Sequence, residues 1–178
     1  MDRLQIEACL KSMSILVDTR EQPSDRAKRR YSAFPCPYRR QTLDYGDYTY
    51  NFILPDGSEL FCPKKKAAGT VIIERKMDLT ELSGCLTHER KRFVAEFERA
   101  QEHQAKVYLL VEDATWENLL KGGYKTRFNP KSFFASMTAF MARYNLSVIF
   151  CKSETSGKII HEILYRELKE RLESGFYG

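Results

Sequence analysis

Thr70-Val71-Ile72-Ile73-Glu74-Arg75-Lys76 is the stretch that decides the fold. Its first four residues are β-branched, the richest such run in the chain, and they predict a strand. A run this apolar predicts a central strand covered on both faces. The charged residues at its end stand where strands stop and loops open. Alternation along a strand puts Glu74 and Lys76 on one face and Arg75 on the other. A lone Glu-x-Lys at a strand end is ordinarily a surface ion pair, so the weight falls on what surrounds it.

Toward the N-terminus, Ser14-Ile15-Leu16-Val17 reads as a short buried strand running into Asp18-Thr19-Arg20-Glu21, after a weak helical pattern through Leu4, Ile6 and Leu10. Residues 22–40 hold three prolines and a dense basic group, and they read as a loop with a helical turn or two. Residues 41–62 read as a hairpin: Tyr48, Tyr50 and Phe52 alternate with Thr49 and Asn51, Pro55-Asp56-Gly57 turns, and Glu59–Cys62 returns. Toward the C-terminus helices and strands alternate. A helix is predicted over 88–104, a strand over Lys106–Val111, and a short helix capped by Thr115. A further helix is capped by Asn129 with Pro130 in its first turn, followed by a strand over Ser147–Phe150 and a last helix over 155–173. The predicted fold class is α/β, a mixed central sheet flanked by helices. One domain accounts for 1–178, with a core over about 14–152 and the last helix attached to it.

The chain has 178 residues, with 29 Lys+Arg against 24 Asp+Glu, a net charge of +5. The length suits one domain with a real core. No apolar run approaches the roughly 20 residues needed to cross a bilayer, and the N-terminus does not read as a signal peptide. An intracellular protein is expected, cytoplasmic if the source is microbial or phage. Five scattered cysteines without a C-x-x-C argue against a disulfide framework or a structural zinc site. The net charge is a modest pointer to an anionic partner.

The acids have a pattern of their own. Asp18 and Glu21 follow the first strand, Asp47 lies in Gly46-Asp47, and Glu74 with Lys76 closes the central strand. Two carboxylates and a lysine suit metal-dependent hydrolysis of a phosphodiester. Carboxylate oxygens gather a hard divalent cation, the cation polarises a phosphoryl oxygen, and the lysine stabilises charge on the phosphate.

Val17-Asp18-Thr19-Arg20-Glu21, Gly46-Asp47 and Glu74-Arg75-Lys76, in that order and behind that apolar strand, resemble the nuclease domain of the XPF-type structure-specific endonucleases. The likeness runs from about residue 14 to 152. It implies a restriction-endonuclease-like core that cuts DNA at branches, flaps or nicks, in repair, recombination or replication, with Mg²⁺ or Mn²⁺. It implies Asp47 and Glu74 as metal ligands, with Asp18 as an additional one and the Arg75 carbonyl as a further donor. Lys76 would be the catalytic lysine, and Asp18, Arg20 and Glu21 would line the same site. The family pattern has an aspartate four residues after that lysine. Here the position is Thr80, and Asp78 or Glu81 is left to take its place, unless Asp78 is only a helix cap.

No helix-hairpin-helix or helicase module follows residue 152, so DNA contact is assigned to Arg26, Arg29, Arg30, Arg39, Arg40, Lys64, Lys65 and Lys66. Tyr31, Phe34 and Tyr38 either stack on bases or pin their loop to the core. Gly122–Arg127 is a further basic loop. A homodimer or a recruiting protein would supply the rest of the specificity, and neither a membrane nor an organic cofactor is expected. The rival function is a non-catalytic relative that binds DNA structure or scaffolds a partner.

Overall fold

The computed structural model describes residues 1–177. Thirteen elements follow one another as α1 (Arg3–Lys11), β1 (Ser14–Val17), α2 (Asp25–Ser32), β2 (Tyr38–Arg40), β3 (Tyr48–Asn51), β4 (Val71–Lys76), α3 (Leu79–Leu86), α4 (Arg90–Glu102), β5 (Lys106–Glu112), α5 (Trp116–Leu120), α6 (Pro130–Tyr144), β6 (Ser147–Cys151) and α7 (Ser156–Glu173). The six strands form one sheet in the order β2-β1-β3-β4-β5-β6. The pairs β4–β5 and β5–β6 are parallel, and β3 is antiparallel to both β1 and β4. This is the α/β architecture of restriction-endonuclease-like proteins, a mixed sheet with helices on both faces.

Val71, Ile72 and Ile73 are buried because β4 lies third from one edge of the sheet with a helical layer on each side. Ile72 packs with Leu82, Phe93, Phe97, Phe133 and Phe140 from α3, α4 and α6. Val71 and Ile73 face the opposite way, into a cluster with Tyr48, Tyr50, Ile160, Leu164 and Leu168. The caps read from sequence are in place: Thr115 Oγ1 accepts from the Asn118 N–H at 3.0 Å, and the Asn129 side chain accepts from Ser132. Among the described residues, no helix is long and apolar enough to cross a membrane.

The hairpin expectation needs correction. β3 is a strand, but Glu59–Cys62 does not return as its partner. The turn at Pro55–Gly57 is in place, and the return meets residues 52–54 through the Ile53–Glu59 bridge and through hydrogen bonds from Leu54 N–H to the Ser58 carbonyl and from Leu60 N–H to the Phe52 carbonyl, but β3 itself takes β1 and β4 as neighbours. That is why Thr49 and Asn51 are buried along with Tyr48, Tyr50 and Phe52. Residues 22–40 are also more regular than expected, since they contain α2 and the three-residue edge strand β2. Tyr31 and Phe34 are buried and pack with Tyr38 at centroid distances of 5.0 and 5.9 Å, so these rings pin the segment to the core.

Candidate active site

The sheet register assembles the acids. Val17 is paired with Tyr48, and Tyr48 with Ile73. One residue further along each strand, Asp18, Asp47 and Glu74 stand in a row across β1, β3 and β4. Backbone hydrogen bonds fasten the row: Asp18 N–H donates to the Asp47 carbonyl at 2.8 Å, and Asp47 N–H to the Ile73 carbonyl at 2.9 Å. Gly46 makes the approach possible. Its φ is +70°, and a Cβ there would lie 2.9 Å from Ile72 Cδ1, so a side chain is disfavoured by both backbone and space.

Asp47 and Glu74 open on a cleft of about 300 Å³ whose lining includes Arg20, Glu21, Asp47, Glu74, Lys76 and Glu81, with Arg92, Phe93 and Glu96 from α4. Lys76 Nζ donates to Glu74 Oε1 at 2.6 Å and lies 5.3 Å from the centre of the Phe93 ring. Asp47 Oδ2 accepts from the Arg75 backbone N–H at 2.7 Å. Burial first, and then the charge of Asp47, push the Glu74 carboxyl up, against the pull of Lys76. Burial alone would lower Lys76. The Glu74 and Asp47 carboxylates outweigh it and hold the ammonium above the usual lysine range.

Asp18 was expected as an extra metal ligand, yet it stands beside the cleft, on the same sheet face as Glu74, without lining it. It is fully buried, and its oxygens accept from Arg20 N–H, Nε and Nη2 and from the Leu43 N–H, at 2.6 to 3.0 Å. Its neighbour Arg20 is half-exposed at the cleft wall, 3.9 Å from Glu96. Asp78 caps α3, its side chain accepting from the Glu81 N–H, and Glu81 is the acid that reaches the cleft. Among the described residues, no three His, Cys, Asp or Glu side chains converge closely enough to hold a metal by themselves.

Arg75 points to the other face, as alternation requires. There Glu112, at the end of β5 and fully buried, accepts from Arg26 Nε at 2.8 Å and from Arg30 Nε at 3.0 Å, and it pairs with Arg75 Nη1 at 3.4 Å. Glu21 takes Arg30 Nη1 at 2.6 Å and the Tyr48 hydroxyl. Burial, followed by the Asp47 charge, pushes the Glu21 carboxyl up.

The basic residues assigned to DNA divide. Arg30 is 3% exposed and its guanidinium is consumed by Glu21, Glu112 and Tyr48, so it cannot meet a phosphate. Arg26 is tied to Glu112 and Asp113, and Arg39 to Glu59. Arg29 and Lys64 to Lys66 are exposed, and Lys66 is paired with Asp44 at 2.6 Å. Arg40 donates to the Thr19 and Glu21 carbonyls and, with Lys64, Lys65 and Lys66, lines a second polar cavity of about 300 Å³.

The family model of the ERCC4 domain matches residues 17–163. The chain belongs to the ERCC4 domain family. This is a family of nuclease domains, and the ERCC4 fold recurs in two solved structures. XPF from Aeropyrum pernix is 18% identical with a TM-score of 0.60, over 92% of this chain and 69% of that one. XPF from Aeropyrum pernix in complex with DNA is 20% identical with a TM-score of 0.59, over 89% of this chain and 66% of that one. The chain thus spans about two thirds of the length of these structures. No curated protein matches the sequence.

Sequence reading missed Glu112, Arg92 and Glu96. Glu112 had a signal, because it ends the apolar run of β5 as Glu74 ends that of β4, and parallel pairing sets Glu74 opposite Leu109. Arg92 and Glu96 had none, since a charged helix face reads as solvated wherever it packs.

Proposed function

We propose that this ERCC4 domain is a metal-dependent DNA endonuclease that hydrolyses phosphodiester bonds at branched, flap or nicked DNA. The observation that carries the reading is the row Asp47–Glu74 with Lys76 on the same strand face, all opening on one cleft. The donors suit a hard cation. They are carboxylate oxygens, and Asp47 Oδ1 accepts from no protein donor among the described residues. Burial and then the charge of Asp47 raise Glu74, and a cation held by both acids would relieve their repulsion. Asp47 and Glu74 would hold Mg²⁺ or Mn²⁺, with the Arg75 carbonyl as a further donor. Bound there, the metal would polarise a phosphoryl oxygen and lower the pKa of a water.

The chain's own groups supply the rest. Lys76 presents an ammonium that stays charged at neutral pH, suited to charge developing on the phosphate. Arg20, held in place by Asp18, and Arg92 offer guanidinium groups at the cleft wall to grip the flanking phosphate oxygens. Glu21 and Arg75, paired with each other at the margin of the cleft, brace the strand end. Arg29, Arg40 and Lys64 to Lys66 provide contacts to the DNA backbone.

The test is a panel of duplex, flap, junction and RNA substrates with Mg²⁺. Nicking of branched DNA is expected, abolished by EDTA and lost in Asp47→Ala and Glu74→Ala with the fold retained. Lys76→Ala should bind DNA and cut poorly. Full activity of Asp47→Ala, or in EDTA, would refute the metal mechanism. A non-catalytic, structure-binding relative is the second reading, favoured by the lack of a three-donor group. It predicts DNA binding without turnover in the same panel.

A further inference from the structure

The chain's excess of positive charge falls in one stretch of sequence. From Asn118 to Ser153, 36 residues, there is no Asp or Glu, and there are six cations: Lys121, Lys125, Arg127, Lys131, Arg143 and Lys152. The other 142 residues hold 23 cations against 24 acids. Soluble surfaces usually intersperse the two signs, and a stretch without acids leaves its field unneutralised. All six cations are exposed, and none is ion-paired among the described residues.

Four of the six lie on or beside the connector between α5 and α6, and that connector is pinned. The Lys125 N–H donates to Thr80 Oγ1 at 3.1 Å, and the Thr126 and Ser83 hydroxyls are 2.9 Å apart. The Tyr124 hydroxyl donates to the Phe128 carbonyl at 2.6 Å, and both rings pack on Phe133. Lys125 and Arg127 are therefore held against α3, whose Glu81 lines the cleft. Because α5 follows β5 and α6 leads into β6, the connector belongs to the β5–β6 side. The cavity lined by Arg40 and Lys64 to Lys66 lies beside β1 and β2. The cleft stands between the two.

We propose that Lys121, Lys125, Arg127 and Lys131 form a second surface for duplex DNA, so that one arm of a branched substrate lies on each flank of the cleft. This rests on the reading of the cleft as a DNA nuclease site. It adds an arm to the substrate and assigns a surface to it. Six cations on the two flanks, Lys64 and Lys65 on one and these four on the other, remain free to neutralise phosphates.

The test is binding of the full chain to a flap with two duplex arms, in EDTA so that nothing is cut, over a salt series and with hydroxyl-radical footprinting. The wild type should protect phosphates on both arms. Lys125→Glu with Arg127→Glu should lose protection of one arm and weaken binding about tenfold. The slope of log affinity against log salt should fall by about two, at roughly 0.9 per phosphate contact. Arg143→Glu is the control. Arg143 ends α6, just before β6 begins, and so lies at the end of the sheet where the parallel strands start, opposite the end that carries Glu74 and Lys76; its reversal should leave both readouts unchanged. Wild-type footprints and slope in the double variant would overturn the proposal. So would a loss in Arg143→Glu as large per charge, which would make net charge rather than placement the cause. A wild-type chain that binds no DNA would instead overturn the nuclease reading on which the proposal rests.

Discussion

Glu74 and Arg75 are neighbours on β4, and they face two regions built on opposite electrostatic principles. Toward the other face, Arg75 joins Arg26 and Arg30 around Glu112, and Glu21, which also lines the cleft, is taken up by Arg30, Arg75 and the Tyr48 hydroxyl. In front, Asp47 and Glu74 are set side by side with Lys76 as their close cation, and the burial and mutual repulsion of these acids lift Glu74. The rear region is held by side-chain ion pairs. The front region is held by backbone, through the Gly46 turn and the hydrogen bonds that align β1, β3 and β4. A fully paired cluster stabilises the fold and leaves no capacity for a ligand. A cluster kept short of cations by its scaffold costs stability and is primed to bind one.

The largest effect should come from the rear. Glu112→Ala leaves three guanidinium groups facing a buried gap and should cost about 3–5 kcal/mol in denaturant unfolding. A loss under 1 kcal/mol would show that the network is not what holds this face. The backbone half of the contrast rests on Gly46. Gly46→Ala must hold an alanine at positive φ against Ile72 and should cost about 1–2 kcal/mol. Metal affinity, read by Mn²⁺ titration, should fall with it because Asp47 is carried on the same turn.

The front region makes a prediction in pH. The Glu74 pKa is raised in the fold, so its stabilising contribution is complete below its unfolded value, near 4.3. That contribution is lost as pH rises through the folded value. Asp47→Asn keeps an acceptor for the Arg75 N–H and removes the repelling charge. It should match the wild type near pH 4 and melt about 2–4 °C higher at pH 9, the shift expected of 1 kcal/mol in a chain of this size. A constant difference across that range would place the repulsion elsewhere. The smallest effect is the baseline for both regions: Arg39 and Glu59 form a partly exposed pair at 2.6 Å, and Glu59→Ala should cost less than about 1 kcal/mol.

Much of this was legible in the chain itself. The β-branched run of β4, the caps at Thr115 and Asn129, and the three acid-bearing segments all depend on residues close in sequence, where sterics and short-range hydrogen bonding decide. Alternation alone separated Glu74 and Lys76 from Arg75. Other features were illegible because their partners are far away in the chain. Arg30 looked like a phosphate contact until Glu112, 82 residues later, claimed it. Asp18 looked like a metal ligand until the Leu43 N–H, 25 residues later, joined its near neighbour Arg20 on its oxygens. Glu59–Cys62 looked like a return strand, but β3 was already flanked on both sides.

Residues close in the chain were therefore enough to set the α/β class, the central strand, and which residue types could meet a phosphodiester. Packing set which of those charges stay open to the cleft and which neutralise one another beside it. The reason is physical. A charge in a chain is defined by its type, but its pKa, its freedom and its use depend on burial and on the charges a few ångströms away, and in this fold those neighbours come from β5, α4 and the turn before β3.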